Sequence, residues 1–475
     1  MTMKEFIGRV EELSILEEFY NDPNIKAYAI IGRRQIGKSA LIDEFIKDKK
    51  SIKIEFLDSS LSKNLELMGR VMSSVTGSKK EYESSMDFMW DLADYIKGQY
   101  MAVVFDEFPY MVECDESFAA LTQYFIDVQL GDSKLIISGS SIKTMEYETT
   151  EYSRPLYGRT RTLWLHQMTL KECMLFHEDL SDLDQLRLYM AIGGTPMYHA
   201  VPRFDDFQDY IEKMILGPHS IFRNEGENMI KREMGHADDI ISLLDSMTGR
   251  STTIKTMAAR TGIDRNTCSG YVNDLETLDM VRANTPMWGS PKKPVQYSIS
   301  DYMLSFSFLV QRNDILFNSN VSERFRALSN LISTSRGFMF EQYCMDLIVR
   351  SYPVRSIGRW WGSKTVKDGS GDKVLDGSGV PITVNCDIDI AAEIMVNNNL
   401  VNLAVECKFK NAPVGFEALN ELDSSIESLG SKRYVRRMII SPSGFTDDLV
   451  DHAAENGILL VGLDMIIGKE PMPII

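Results

Sequence analysis

Gly32-Arg33-Arg34-Gln35-Ile36-Gly37-Lys38-Ser39 follows the apolar run Ala27–Ile31 and leads into an amphipathic stretch at residues 40–46. The segment reads G-x-x-x-x-G-K-[ST] between a strand and a helix, the setting in which this spacing makes a phosphate-binding loop. The glycines let backbone N–H groups approach phosphate oxygens, and the helix start adds its dipole. Lys38 would neutralise the β and γ phosphates, and Ser39 would ligate Mg²⁺. Arg33, Arg34, Gln35 and Ile36 carry the loop between its two glycines.

Outward from that loop, residues 101–105 form a second apolar run that ends in Asp106 and Glu107. Asp106 suits the outer shell of Mg²⁺, and Glu107 is placed to orient or deprotonate an attacking water. A third run at 135–137 is followed by Ser138-Gly139-Ser140, where Ser138 is a candidate polar sensor of the γ-phosphate. Short unbroken apolar runs separated by helical segments predict a parallel sheet covered on both faces.

A length of 475 residues corresponds to about three domains at roughly 150 residues each. With 51 basic and 68 acidic residues the net charge is −17, and the chain is 44% hydrophobic and 25% charged. Those values exclude wholesale disorder and a uniformly basic surface, but they leave room for a local basic groove. The six cysteines form no C-x-x-C pair and the six histidines have no zinc-ligand spacing, which suits reduced thiols. Lys4, Glu5 and Arg9 break any early apolar signal core, and no run approaches the ~20 apolar residues of a membrane span. The expectation is a cytoplasmic protein with no membrane partner.

Residues 1–165 are expected to be the P-loop α/β core. Residues 166–236 look mainly helical, broken by Gly193-Gly194-Thr195-Pro196. Between 237 and 315, helices at 240–247, 254–259 and 264–278 precede strands at 280–283 and 295–299, which predicts a winged helix-turn-helix. From Arg250 to Lys293 seven basic residues face four acidic ones, a local +3 within a chain of −17. That inversion is the footprint of nucleic-acid contact, DNA before RNA. Asp274 and Glu276 fall in the recognition helix and Asp279 directly follows it, so docking of a protein is the other reading.

Residues 330–475 open with a helix at 337–350 and continue with strands at 386–390 and 403–409, around a loop at 367–379. On a strand, residues two apart share a face, so Asp387 points with Asp389 and Glu406 with Lys408. With Glu341 on the preceding helix, these carboxylates could hold Mg²⁺ through Asp389 and Glu406 and orient a water for phosphodiester attack.

Several of these blocks resemble a known family. Phe6-Ile7-Gly8-Arg9-Val10-Glu11-Glu12-Leu13, the loop with Arg33-Arg34, Phe105-Asp106-Glu107-Phe108, Pro155-Leu156-Tyr157-Gly158-Arg159 and Gly193-Gly194-Thr195-Pro196 look like the archaeal-type ATPases, in the AAA+/STAND branch of P-loop proteins. The resemblance implies ATP as the nucleotide, residues 6–9 near the adenine and the helical part as a lid that ATP would close. It leaves Arg159 as a γ-phosphate sensor or a surface arginine. The last section resembles a PD-(D/E)XK nuclease-like domain, which implies Glu341, Asp389, Glu406 and Lys408 as its four catalytic positions. The expected protein is an ATP- and Mg²⁺-dependent ATPase joined to a DNA-binding winged helix and an Mg²⁺-dependent nuclease-like domain. The alternative is an ATP-switched assembly scaffold, working with a protein partner or a second copy, whose nuclease-like domain is inactive.

Overall fold

The computed structural model describes residues 6–217, 219–289, 294–311, 320–366, 373–429 and 434–475. The chain forms two compact units, one made of residues up to Phe176 plus Gly194–Val201, the other of His177–Gly193 plus Pro202–Ile475.

In the first unit, β1 (Ala27–Ile31), β2 (Ser51–Glu55), β3 (Ala102–Asp106), β4 (Lys134–Gly139) and β5 (Thr160–Trp164) form one sheet in the order β2-β3-β4-β1-β5. Every neighbouring pair is parallel, so all five carboxyl ends lie on one edge. β3 and β4 are buried along their whole length, which is why residues 102–105 and 135–137 within them are unbroken apolar runs rather than alternations. Helices Val10–Asn21 and Lys38–Ile46 cover one face, with Leu16, Phe19, Leu41, Ile42 and Phe45 packed against Ile30, Val104 and Ile136. The register sets Phe105 opposite Ile137 and Ile31 opposite Gly139. The ends of β1, β3 and β4 therefore deliver the glycine loop, Asp106 and Ser138 to the same edge, where ligands of open α/β sheets bind.

The second unit begins with helices. Ala237–Met247, Ile254–Thr261 and Arg265–Thr277 precede an antiparallel pair, β6 (Val281–Asn284) and β7 (Gln296–Ile299). Gly262 at φ +75° ends the second of these helices, and Asp264 starts the third by accepting from the N–H groups of Asn266 and Thr267. A 31-residue helix, Val321–Ser351, follows Tyr302–Gln311. It begins well before residue 337, where Asn320 caps it through the Glu323 N–H, and Leu328 and Ile332 are already buried ahead of that point.

β8 (Val354–Thr365), β9 (Thr383–Val396), β10 (Asn399–Cys407), β11 (Val435–Ile440) and β12 (Leu459–Val461) complete a mixed sheet in the order β12-β11-β10-β9-β8. The β8-β9 and β9-β10 pairs are antiparallel, and β10-β11 and β11-β12 are parallel. Part of the expected 367–379 loop, residues 367–372, lies outside the described residues. The remainder turns at Asp376, whose carboxylate accepts from the N–H groups of Ser378 and Val380. No helix among the described residues is long and apolar enough to cross a membrane.

Candidate functional site

The loop at 32–37 turns through two left-handed residues, Gln35 at φ +64° and Gly37 at φ +98°, before the helix starts at Lys38. A side chain at position 32 would also meet a barrier, since its Cβ would lie 2.6 Å from the Leu165 carbonyl oxygen. Lys38 is only 4% exposed. Its Nζ donates to the Gly32 and Arg33 carbonyls at 2.9 and 3.0 Å and lies 4.0 Å from Glu107 Oε1. The ammonium is therefore folded along its own loop. Arg34 reaches sideways to the Tyr110 hydroxyl at 2.8 Å.

Asp106 has no solvent exposure. Burial alone would raise its pKa, but it is held below the ordinary carboxylate value by a hydrogen bond from Ser138, the charge of Lys53 and a hydrogen bond from Ser39. Lys53 Nζ sits 3.1 Å from Asp106 Oδ2 and 2.7 Å from Asp43 Oδ1. Ser138 thus meets the strand-end acid directly. Glu107 adopts φ +53° at the start of the next helix, and its Oε2 accepts from the Ser140 N–H at 3.0 Å and hydroxyl at 2.8 Å. The structure brings Ser39, Asp106, Glu107, Lys38 and Ser138 together around the glycine loop.

Two parts of the expected site sit differently. Arg159 ion-pairs with Asp127 at 2.9 Å and donates to the Pro155 and Tyr157 carbonyls, a surface arrangement outside the loop. Arg9, by contrast, is 4% exposed at φ +56° and donates to the Ile36 carbonyl in the loop at 3.2 Å and to the His166 carbonyl at 2.6 Å. Beside them, the Gly194 carbonyl accepts from the Met168 N–H at 2.8 Å, and a Cβ at Gly194 would lie 1.9 Å from the Met168 oxygen. Pro196 follows closely, its Cγ 3.6 Å from where a Cβ of Gly37 would stand.

In the second unit the expected acids also converge, but around cations. Arg359 Nη1 lies 2.6 Å from Glu341 Oε2, and its Nη2 lies 3.6 Å from Asp387 Oδ2 and 3.8 Å from Asp389 Oδ1. Asp389 Oδ2 accepts from the Cys407 N–H at 2.9 Å. Lys408 Nζ bridges Glu406 at 2.6 Å and Glu421 at 2.7 Å. The shared faces of Asp387 with Asp389 and of Glu406 with Lys408 are thus realised. Among the described residues no group of three or more His, Cys, Asp or Glu is arranged to hold a metal ion. As they stand, these side chains do not fit Mg²⁺, because the cations within the cluster are Arg359 and Lys408. The phosphate loop does fit a magnesium nucleotide, since Ser39 and Asp106 touch and a buried ammonium lies beside them.

Sequence reasoning missed Lys53, Arg359 and Glu421. Lys53 carried a weak signal, a lysine between two isoleucines in Ser51–Glu55. Arg359 carries no local signal, being one arginine in Gly358-Arg359-Trp360-Trp361.

Residues 6–199 match the family described as "ATPase domain predominantly from Archaea". An uncharacterized protein of Methanocaldococcus jannaschii is 24% identical over 371 residues, covering 75% of this chain and 82% of that relative. An uncharacterized ATP-binding protein of the same organism is 40% identical over 45 residues, or 10% of this chain and 76% of the relative. Among solved structures, a Walker-type ATPase of Pyrococcus abyssi aligns with a TM-score of 0.50 at 17% identity, covering 64% of this chain and 97% of that chain. The likeness to that structure is one of fold.

Burial first, and then the charge of Asp389, raises both Glu341 and Glu406 to about 8. A folded-state pKa above the unfolded value gives stability that is present at low pH and lost as pH rises through the folded value. Thermal melts from pH 5 to 9 should therefore show a falling midpoint toward alkaline pH, and Glu341→Gln should flatten that fall. An unchanged slope in the variant would show that Glu341 titrates as an ordinary surface acid.

Proposed function

This chain belongs, through residues 6–199, to the ATPase family found predominantly in Archaea, and from that premise we propose that it binds and hydrolyses ATP with Mg²⁺ to switch a nucleic-acid-binding second unit. The observation that carries the reading is the cluster of Ser39, Asp106 and Lys38 at the carboxyl edge of the parallel sheet. Lys38 and the backbone N–H groups of residues 32–39 would hold the phosphates, and Ser39 with Asp106 would hold Mg²⁺. When bound, the ion offsets charge on the β and γ oxygens. Glu107 would orient water and take its proton at Oε1, the oxygen turned toward Lys38, while Ser140 fixes Oε2. Arg9 would hold the loop's shape through the Ile36 carbonyl.

In the second unit, the three helices and the β6-β7 pair correspond to a winged helix-turn-helix, and the β8 to β12 sheet behind the helix of Glu341 to a PD-(D/E)XK nuclease-like domain. Exposed Arg250, Lys255, Arg260 and Arg265 support contact with a DNA backbone. Arg282 does not join them, since it ion-pairs with Asp346 at 2.6 Å. Lys292 and Lys293 lie outside the described residues. A second reading, in which the nuclease-like domain does not cleave and the chain serves as an ATP-switched scaffold, is favoured by Arg359 standing among its acids.

Lys38→Ala should abolish ATP binding, whereas Glu107→Gln should keep ATP bound and slow hydrolysis by roughly 10²-fold or more. Filter binding and phosphate release measured on both variants check this. Equal loss of binding in the two would make Glu107 a structural residue.

DNA affinity should fall with salt, and Lys255→Ala or Arg265→Ala should each reduce the slope of log affinity against log salt by about 1. Arg282→Ala should leave the slope alone, because its charge is already spent on Asp346. A slope unaffected by Lys255→Ala and Arg265→Ala would turn the helices into a protein-docking module.

A further inference from the structure

β8 and β9 do not pair evenly. Gly358 pairs with Ala391 and Trp360 with Ile388, so the single residue Arg359 faces two residues of β9, Asp389 and Ile390. This is a β-bulge, a device that re-aims a side chain beside a functional site. Here it coincides with the point where a guanidinium enters the acids. Trp360 is buried and packs with Ile388, Ala391 and Leu422, so alternation along β8 sends Arg359 to the acids' side.

The backbone at this point is held from outside the sheet. β8 is an edge strand, and the segment after β6 lies along it. Pro286 bridges to Arg359 in parallel, and the Met287 N–H donates to the Arg359 carbonyl at 2.8 Å. Gly358 makes this approach possible, because a Cβ there would stand 2.4 Å from the Thr285 oxygen. Met287 and Trp288 pack into the same apolar cluster as Trp360. Segment 285–288 is thus a strap across the strand that carries Arg359.

We propose that Arg359 is the resident cation of the Glu341, Asp387 and Asp389 cluster, and that the 285–288 strap holds it there and closes the cluster to divalent metal. This rests on the nuclease-like reading of the domain. A guanidinium suits the role because its fork can meet several carboxylates at once and it stays charged at any working pH. Three carboxylates facing each other repel unless a cation or a proton offsets their charge, and a guanidinium and a metal ion cannot occupy the same place among them. The strap comes from the β6 end of the helix-turn-helix module, which links whatever that module binds to the state of the cluster.

The test is Mn²⁺ binding to the full chain without nucleotide, followed by the loss of the free-ion paramagnetic resonance signal. Wild-type protein should bind no Mn²⁺ that depends on Asp389, as judged against Asp389→Asn. Arg359→Met should bind it at least about tenfold more tightly than wild type, and Arg359→Met with Asp389→Asn should lose it again. Gly358→Ala keeps every charge and displaces the strap, so it should open the cluster partway, and it serves if Arg359→Met fails to fold. Asp389-dependent Mn²⁺ binding by the wild type would overturn the proposal while supporting the nuclease-like reading. Absence of Mn²⁺ binding in wild type, Arg359→Met and Gly358→Ala alike would overturn both.

Discussion

A carboxylate sealed from water must be met by protein partners or give up its charge, and Asp106 imposes that requirement on the first unit. Its partners come from three different places. Lys53 arrives from β2 on one side, Ser138 from β4 on the other, and Ser39 from the first turn of the helix that follows the glycine loop. The strand order β2-β3-β4-β1-β5 and the chemistry of the site are therefore one constraint. Moving β3 to an edge would remove either the lysine or the serine and leave a buried charge half-met. The middles of β3 and β4 are apolar, and the polar groups they bury sit at the strand ends: Asp106 and Ser138 at the site, and Lys134 at the far end of β4, where it donates to the Asp22 and Ile25 carbonyls.

The two units settle crowded charge in opposite ways. Around Asp106, donors outweigh burial and the acid keeps its charge below the usual range. Around Glu341 and Glu406, burial and mutual repulsion outweigh Arg359 and Lys408, and the acids are pushed upward. One cluster is built to stay ionised beside a phosphate loop. The other is balanced internally and sits on a strand whose register is already bent by a bulge.

The glycine loop, Asp106 and Glu107 were legible in sequence because their chemistry is local: a fixed spacing, and acids at the end of an apolar run. The three helices and the β6-β7 pair were legible within a residue or three, since Gly262 and Asp264 punctuate them. Lys53 was not, because its role depends on β2 lying next to β3, and Ser51–Glu55 alternates too polar to stand out. Arg359 was invisible for a similar reason. The acids were found by strand alternation, but which cation would face them depends on a register shift that no local pattern encodes. The long helix starts earlier than the 337–350 expectation, at the cap on Asn320, and Val321, Phe325, Leu328 and Ile332 carry helical spacing through that earlier part.

The chain passes between the two units at 176, 193 and 201, and this bears on how the ATPase part can be handled as a gene segment. The return stretch 194–201 brings Gly194 and Pro196 back beside Met168 and the glycine loop, so a fragment cut at 176 would lose part of its own nucleotide edge. A fragment carried to 199 keeps that edge but takes helix Asp182–Ile192 with it. Tyr189 of that helix stacks near Tyr302 and Tyr343 of the second unit, and Leu186, Leu188 and Ile192 are buried there too. Cut either way, the piece is left with a missing edge or a bare apolar face, and bare faces of that kind promote aggregation. Recombination that moves this ATPase to a new partner must therefore supply a replacement cover for one helix, a demand on the recipient that a domain with its ends side by side would not make.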